Sequence, residues 1–252
     1  MIDGIYSGAA SLSALERWQE VISKNLASGS AAGFKKADFY IEGARSHKVA
    51  SGEDGPFSVQ STGTAPRTAT SINFTPGDLR QTGKETDFAI DGPGFFQVKK
   101  PTGEAVYTRD GEFHINADNT LVTKQGYEVT GEDGPIVVDP EKGHVTLGED
   151  GTLSQGDNVL AKLTLRDFPD SRVLQRLDNG FFGAPRGTTP TIVDKPGIVQ
   201  GSVEASNLSP MSEMVNLVNV SRAYEAAQKM ITSHDELMRQ AIQTLGSTSP
   251  TA

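Results

Sequence analysis

Cysteine is absent from this 252-residue chain, which excludes disulfide staples, thiol nucleophiles and cysteine-ligated zinc or iron–sulfur centres. Positive charge is in deficit, with 23 Lys and Arg against 32 Asp and Glu for a formal charge of −9. An acidic chain repels phosphate backbones and anionic lipid surfaces, so neither nucleic-acid binding nor membrane insertion is expected. No stretch approaches the roughly 18 apolar residues of a membrane span. The start, Met1-Ile2-Asp3-Gly4-Ile5, shows neither the basic leader nor the apolar run of a cleaved secretory signal. The 27 Gly and 13 Pro stay well below the roughly 25–30% share that marks low-complexity disorder, though they imply many turns. A folded protein of one or two domains with a buried core is expected.

What is present begins and ends with heptads. Ile5, Gly8, Leu12, Leu15, Gln19, Ile22 and Leu26 recur at spacings of three and four, which predicts a helix over 3–28 with Asp3 as its cap. Ser28-Gly29-Ser30-Ala31-Ala32-Gly33 ends it, and a bend into Phe34-Lys35-Lys36 follows. At the other end Ser209 suits an N-cap, Pro210 the first helical position, Glu213 the first turn and Gly246 the stop. Between them Leu217, Val220, Tyr224, Ala227, Ile231, His234, Met238, Ala241 and Leu245 keep the same spacing, predicting one long helix over 211–245. Gly8 permits close backbone approach in this seam, and Gln19 or His234 would fix its register. His234 is expected as a satisfied polar residue there.

The charge is unevenly placed. Residues 1–36 sum to +1 and residues 211–245 to −1, so the whole −9 lies outside the helical ends. Near-neutral ends pack against copies of themselves without accumulating repulsion while an acidic middle faces solvent. That middle reads as strands. Val106-Tyr107-Thr108-Arg109, Asp110-Gly111 and Glu112-Phe113-His114-Ile115 predict a two-residue hairpin, and Leu121-Val122-Thr123 with Tyr127-Glu128-Val129 a second one across a longer loop. Val159, Ala161, Leu163 and Leu165 alternate with Leu160, Lys162, Thr164 and Arg166, as in a strand with one apolar face. Glu53-Asp54-Gly55, Glu132-Asp133-Gly134 and Glu149-Asp150-Gly151 are expected as acidic turns. The fold class is therefore α+β: long N- and C-terminal helices forming a coiled-coil-like bundle, with a β-rich middle domain. The division is an N-terminal helix at 1–33, an extended Ser/Thr/Gly-rich linker at 34–87, a β-rich domain at 88–196, and a return segment with the C-terminal helix at 197–252.

Catalytic signatures are missing. His47, His114, His144 and His234 show no metal-ligand spacing, and no serine sits in a Gly-x-Ser-x-Gly elbow. Asn116-Ala117-Asp118-Asn119 lacks the Gly and distal Glu of a calcium loop and reads as a hairpin turn. Gly92-Pro93-Gly94 leads into the strand Phe95-Phe96-Gln97-Val98 and not into the helix a phosphate loop requires. No catalytic residue, cofactor or metal is expected. From the residues alone two other classes stay open. A β-domain hydrolase with a coiled-coil oligomerisation segment would need convergent, strongly perturbed carboxylates in a pocket inside 88–196, and a secreted coiled-coil adhesin would need a ligand-binding face there.

Four stretches carry a family resemblance. Asn25-Leu26-Ala27 through Gly33-Phe34-Lys35 is similar to a signature near the N-terminus of bacterial flagellar rod and hook proteins. Gly77-Asp78-Leu79-Arg80-Gln81-Thr82-Gly83 through Gly94-Phe95-Phe96-Gln97-Val98, then Tyr107-Thr108-Arg109-Asp110-Gly111, then Gly201-Ser202-Val203-Glu204-Ala205-Ser206-Asn207 running on to Arg222-Ala223-Tyr224-Glu225 agree in order and spacing. The resemblance implies a non-enzymatic structural subunit of the flagellar basal-body rod, which spans the periplasm. Its terminal helices would pack side by side in a hollow axial tube that transmits torque, and it would pass through the flagellar type III export apparatus. The implied partners are copies of itself and neighbouring rod proteins. Phe74-Thr75-Pro76-Gly77-Asp78, Gly131-Glu132-Asp133-Gly134-Pro135-Ile136 and Gly148-Glu149-Asp150-Gly151-Thr152-Leu153 resemble the proximal-rod member more than the distal one. So does Ser28-Gly29-Ser30-Ala31-Ala32, which stands where distal-rod proteins carry an Asn- and Thr-containing linker. The assembly interface expected on this basis comprises Ile5, Leu12, Leu15, Ile22, Asn25, Leu26, Gly33 and Phe34 at one end, and Asn207, Leu217, Val220, Tyr224, Ala227, Ile231, Met238 and Leu245 at the other.

Overall fold

Heptad spacing at both ends resolves into two helices, α1 (Ile2–Ser28) and α2 (Pro210–Gly246). The computed structural model describes residues 2–42, 67–139, 142–193 and 195–246, and side chains only between 8 and 244 of these. α1 begins at Ile2, which places Asp3 inside the first turn and not before it, where an N-cap would sit. Pro210 opens α2, where its missing N–H would have had no helical partner. Two long terminal helices with a β-rich middle make this an α+β chain.

The chain forms two compact units. The first draws on Met1–Lys24, Asp38–Ser71 and Met211–Ala252. In it α1 and α2 lie antiparallel, since Gly8 faces Ile231 while Glu16 meets Tyr224. A two-stranded sheet, β1 (Ala37–Glu42) and β2 (Arg67–Ile72), joins them, so part of the expected linker is a strand pair. The expected turn Glu53-Asp54-Gly55 lies outside the described residues.

The second unit comprises Asn25–Ala37 and Ile72–Pro210. It opens with β3 (Leu79–Gln81), β4 (Phe88–Ile90), β5 (Phe95–Lys99), β6 (Ala105–Thr108) and β7 (Phe113–Ile115). Next come β8 (Leu121–Thr123), β9 (Glu128–Val129), β10 (Val145–Leu147), β11 (Thr152–Gln155), β12 (Asn158–Lys162) and β13 (Leu165–Asp167). The short strands β14 (Gln175–Arg176), β15 (Phe182–Gly183), β16 (Thr191–Ile192), β17 (Ile198–Gln200) and β18 (Ser202–Glu204) complete it. The largest sheet has the order β14-β15-β6-β5-β9-β8-β7, with β13 also on β5 and β16 on β13. β10, β11 and β12 form an antiparallel meander, while β17 returns to pair with β4 and β18 with β3.

Both faces of β5 are buried, which explains the unbroken apolar run Phe95-Phe96. Successive side chains of a strand point to opposite faces. Phe96 and Val98 enter one core with Phe88, Leu121, Ile136 and Leu163, whereas Phe95 enters a second with Tyr107, Phe168 and Phe182. In the second core the rings of Phe95, Phe168 and Phe182 meet edge to face at 5.7–6.0 Å, the arrangement favoured by the aromatic quadrupole.

The hairpin predicted at Asp110-Gly111 does not form. β6 pairs with β5 and β15, and β7 with β8, so the two runs lie apart in the sheet. Gly111 is instead engaged by another segment: its carbonyl accepts from Phe88 N at 3.0 Å, and a Cβ there would sit 1.7 Å from the Phe88 carbonyl oxygen. Close backbone approach, not turn geometry, requires this glycine. The second hairpin, β8 to β9, forms as read, as does the Asn116 turn between β7 and β8, where Asn116 Oδ1 accepts from the Asp118 and Thr120 amides. The strand read through 159–166 breaks between β12 and β13, leaving Val159 71% exposed. Gly131–Gly134 and Gly148–Gly151 close as turns, as their acidic sequences indicated.

Asp110 sits in the link between β6 and β7, with its Oδ1 accepting from Glu112 N at 3.0 Å. Burial pushes its carboxyl up to about 6, assisted by the negative charges of Glu112 and Asp87. Below about pH 4 the group is protonated in folded and unfolded chain alike, and as pH rises through about 6 the folded chain must hold a buried charge, so stability falls. Asp110→Asn keeps the acceptor and removes the charge. In urea titrations it is expected to be more stable than the parent by about 1–3 kcal/mol at about pH 7.5, a gain that vanishes toward about pH 4.

Candidate functional site

The expected interface residues on the helices form a seam within the first unit. Along α2 the described positions shielded from solvent include Glu213, Leu217, Val220, Tyr224, Ala227, Ile231, His234 and Met238, on the three-four stripe of the sequence, whereas Ala241, expected in the same stripe, is exposed. Val220 is fully buried and the others down to Met238 are half-buried, apart from the buried Glu213. On α1, Leu12 and Leu15 are half-buried and Ile22 fully buried. Ile5 and Leu245 fall within the helices, with side chains outside the described residues. A Cβ on Gly8 would approach Ile231 Cγ1 to 3.1 Å, so this glycine lets the helices draw close. Tyr224 Oη donates to Glu16 Oε1 at 3.1 Å, and that carboxylate raises the phenol above its ordinary range. The satisfied polar role expected of His234 is not what the structure shows. Its Nδ1 is buried without a hydrogen-bond partner, because the seam neighbours one turn either side, Ile231 and Met238, are apolar.

A second stripe on α1 was not anticipated. Ala10, Ala14, Trp18 and Val21 are shielded at spacings of three and four, with Ala14 buried. The Trp18 indole stacks on Phe39 of β1 at 5.8 Å and 5°, and Arg17 NH1 donates to Thr68 Oγ1 of β2 at 3.0 Å. The signal lay in the four-residue spacing of Ala10, Ala14 and Trp18, overlooked because two of the three are small.

The remaining expected residues meet in the second unit, around a buried charge cluster. Glu204 at the end of β18 and Lys35 after the α1 exit have no exposed side chain, and Arg109 after β6 is nearly as buried. Lys35 Nζ donates to Glu204 Oε1 and to the Thr75 carbonyl, the latter at 2.9 Å. Arg109 NH1 donates to Glu204 Oε2 at 3.3 Å and NH2 to the Gly92 carbonyl at 3.0 Å. Gly77 N adds a donor to Oε1 at 2.9 Å, so both carboxylate oxygens are engaged. Burial pulls Lys35 and Arg109 below their ordinary pKa ranges, and the Glu204 carboxylate opposes that loss.

Around this centre the chain crosses itself repeatedly. Gly33, left-handed at φ 64, donates its N–H to the Glu204 carbonyl at 2.7 Å. Asn25 exchanges two 2.9 Å hydrogen bonds with the backbone of Ala37. Asn207 accepts from Lys36 N and donates to the Asn73 carbonyl, both at 2.8 Å. Phe34 lies under the Arg176 guanidinium at 4.7 Å, and Arg176 NH2 donates to the Lys35 carbonyl. Thus Asn25, Gly33, Phe34 and Asn207 come together, while Leu26 is half-buried beside them on α1. Lys35, Arg109 and Glu204 were missed as site residues although each lies in a stretch quoted for the resemblance. Their pairing spans up to 169 residues and leaves no local periodic trace.

These groups position chain; they do not converge on a reacting atom. Among the described residues no group of three or more His, Asp and Glu could hold a metal ion, and no helix is long and apolar enough to cross a membrane.

Comparison with known proteins places this arrangement. Residues 89–155 match the flagellar hook protein FlgE/F/G D1 domain, and residues 199–244 match the C-terminal region of the flagellar basal body rod FlgEFG proteins. The chain is 35% identical to the flagellar basal-body rod protein FlgF of Caulobacter vibrioides, over 98% of this chain and 99% of that protein. It is 33% identical to FlgG of Buchnera aphidicola subsp. Schizaphis graminum, over 96% and 100%, and 32% identical to FlgF of Mesorhizobium japonicum, over 99% and 100%.

Removing one partner of a buried ion pair leaves an uncompensated charge. Glu204→Gln is therefore expected to destabilise the chain by about 3–5 kcal/mol in urea unfolding. Glu20→Gln, which breaks the exposed pair with Lys24, is expected to leave the urea midpoint essentially unchanged in the same assay, because solvent screens that pair.

Proposed function

Because this chain belongs to the FlgE/F/G family of flagellar basal-body rod proteins and is a structural, non-enzymatic rod subunit, we propose that it is the proximal-rod member. In this reading its terminal helices pack among those of copies of itself and of neighbouring rod proteins to form a hollow axial tube that transmits torque. It reaches that place through the flagellar type III export apparatus.

The observation that carries the assembly reading is the second apolar face of α2. Met211, Met214, Val215 and Val218 are all exposed on one side of its first turns, Met211 by 72%, and Met230 and Leu237 are exposed further along, Leu237 by 65%. Large apolar side chains left exposed on a folded helix mark an interaction site. The intramolecular seam uses the other stripe, so this face is left for neighbouring helices.

The proximal assignment draws support from length. The alignment to the Caulobacter FlgF takes 249 positions to cover 98% of this chain, whereas that to the Buchnera FlgG takes 263 to cover 96% and so opens gaps. A distal-rod place is the second reading, favoured by the 33% identity to that FlgG.

Expression of the chain is expected to restore swimming to cells lacking the proximal-rod subunit and not to cells lacking the distal one, and the reverse result would reverse the assignment. Leu237→Asp and Val218→Asp are expected to lower the amount of the chain in purified basal bodies by about tenfold, with the thermal unfolding of the second unit unchanged. Normal incorporation of both variants would overturn the assembly role of this face.

A further inference from the structure

On the first unit α1 and β2 enclose an open cleft of about 410 Å³ lined by Ala10, Ser13, Ala14, Arg17, Arg67 and Thr68. Its helical wall is made of small residues, which leaves room for an inserted side chain. Arg17 is held in place by its bond to Thr68 Oγ1, and Arg67 precedes that threonine. Both arginines are exposed, and among the described residues neither forms an ion pair with a carboxylate. Two guanidiniums and two hydroxyls on one cleft, in a chain of net charge −9, constitute a receptor for a carboxylate.

The complementary group is on the same chain. Asp235 and Glu236 are adjacent and exposed on α2, and among the described residues neither is paired with a cation. On their own molecule they stand away from the Arg17 end of the cleft. The Glu16–Tyr224 contact sets Arg17 level with Tyr224, and Asp235 lies eleven residues further along α2, about 17 Å at 1.5 Å per residue.

We propose that the cleft receives the Asp235 and Glu236 carboxylates of a second copy of this chain. Such a contact joins two different patches, and a heterologous contact repeats as a ring or an open helix. The inference rests on the rod reading above and supplies the pairing of copies within it.

The test uses the full chain in cells lacking their own copy, with its content in purified basal bodies measured by immunoblot. Arg17→Glu with Arg67→Glu, and separately Asp235→Arg with Glu236→Arg, are each expected to reduce incorporation by about tenfold, and the four changes together to restore most of it. Full incorporation of the cleft reversal overturns the proposal, as does failure of the fourfold swap to restore it, which would assign the cleft to a different partner. Because the chain has no cysteine, a second readout avoids reversing charge. Cells making Ser13→Cys and Thr232→Cys copies together, Thr232 being exposed one turn before Asp235 and Glu236 on their side of α2, are expected to yield a disulfide-linked pair in isolated basal bodies that neither variant yields alone, and absence of that pair likewise overturns the proposal. If the unaltered chain is itself missing from basal bodies, it is the rod reading that fails, an outcome distinct from tolerance of the reversed cleft.

Discussion

A fully buried carboxylate, Glu204, held between the Lys35 ammonium and the Arg109 guanidinium, constrains the second unit more than any single apolar contact does. An ionised group removed from water needs its charge and both oxygens satisfied, and here the partners arrive from the α1 exit, the segment before β3 and the end of β6. Four separate stretches of chain, the end of β18 and these three, must therefore reach one point before any of them is comfortable there. A buried ion pair adds little net stability over well-packed apolar residues, so its effect lies in demanding that coincidence.

The same centre ties down the two lines of chain that lead to the helices. Asn25 and Gly33 anchor the exit of α1, while Asn207 and the β17–β18 return anchor the approach to α2. Side-chain amides bonded to backbone on both their oxygen and nitrogen sides, as in Asn25 and Asn207, leave little rotational freedom. The family's signature stretches are thus explained by convergence in space: each supplies one member of a single hydrogen-bonded cluster.

Within the first unit the helices divide their surfaces. α1 is shielded along two stripes, one toward the α2 seam and one against the β1–β2 pair through Trp18 and Ala14. α2 is shielded along one, and large apolar side chains stay exposed elsewhere on it, chiefly Met211, Met214, Val215 and Val218 in its first turns. Exposed methionines, valines and leucines on a folded helix are the feature on which the proposed packing with neighbouring helices rests, and a near-neutral helix tolerates neighbours at close range.

Local periodicity was enough to establish both helices, the α2 seam from Leu217 to Met238, the Asn116 turn and the β8–β9 hairpin, because each depends on side chains within a few positions of one another. The tertiary structure alone decided that the Asp110-Gly111 link does not close a hairpin, since a backbone contact from Phe88 competes for Gly111. It alone decided that Lys35, Arg109 and Glu204 are buried together, and that α1 has a second working face. Such outcomes turn on partners well apart in sequence, up to 169 residues for the charge cluster, and charge in a sequence carries no mark of whether water or another charge will surround it.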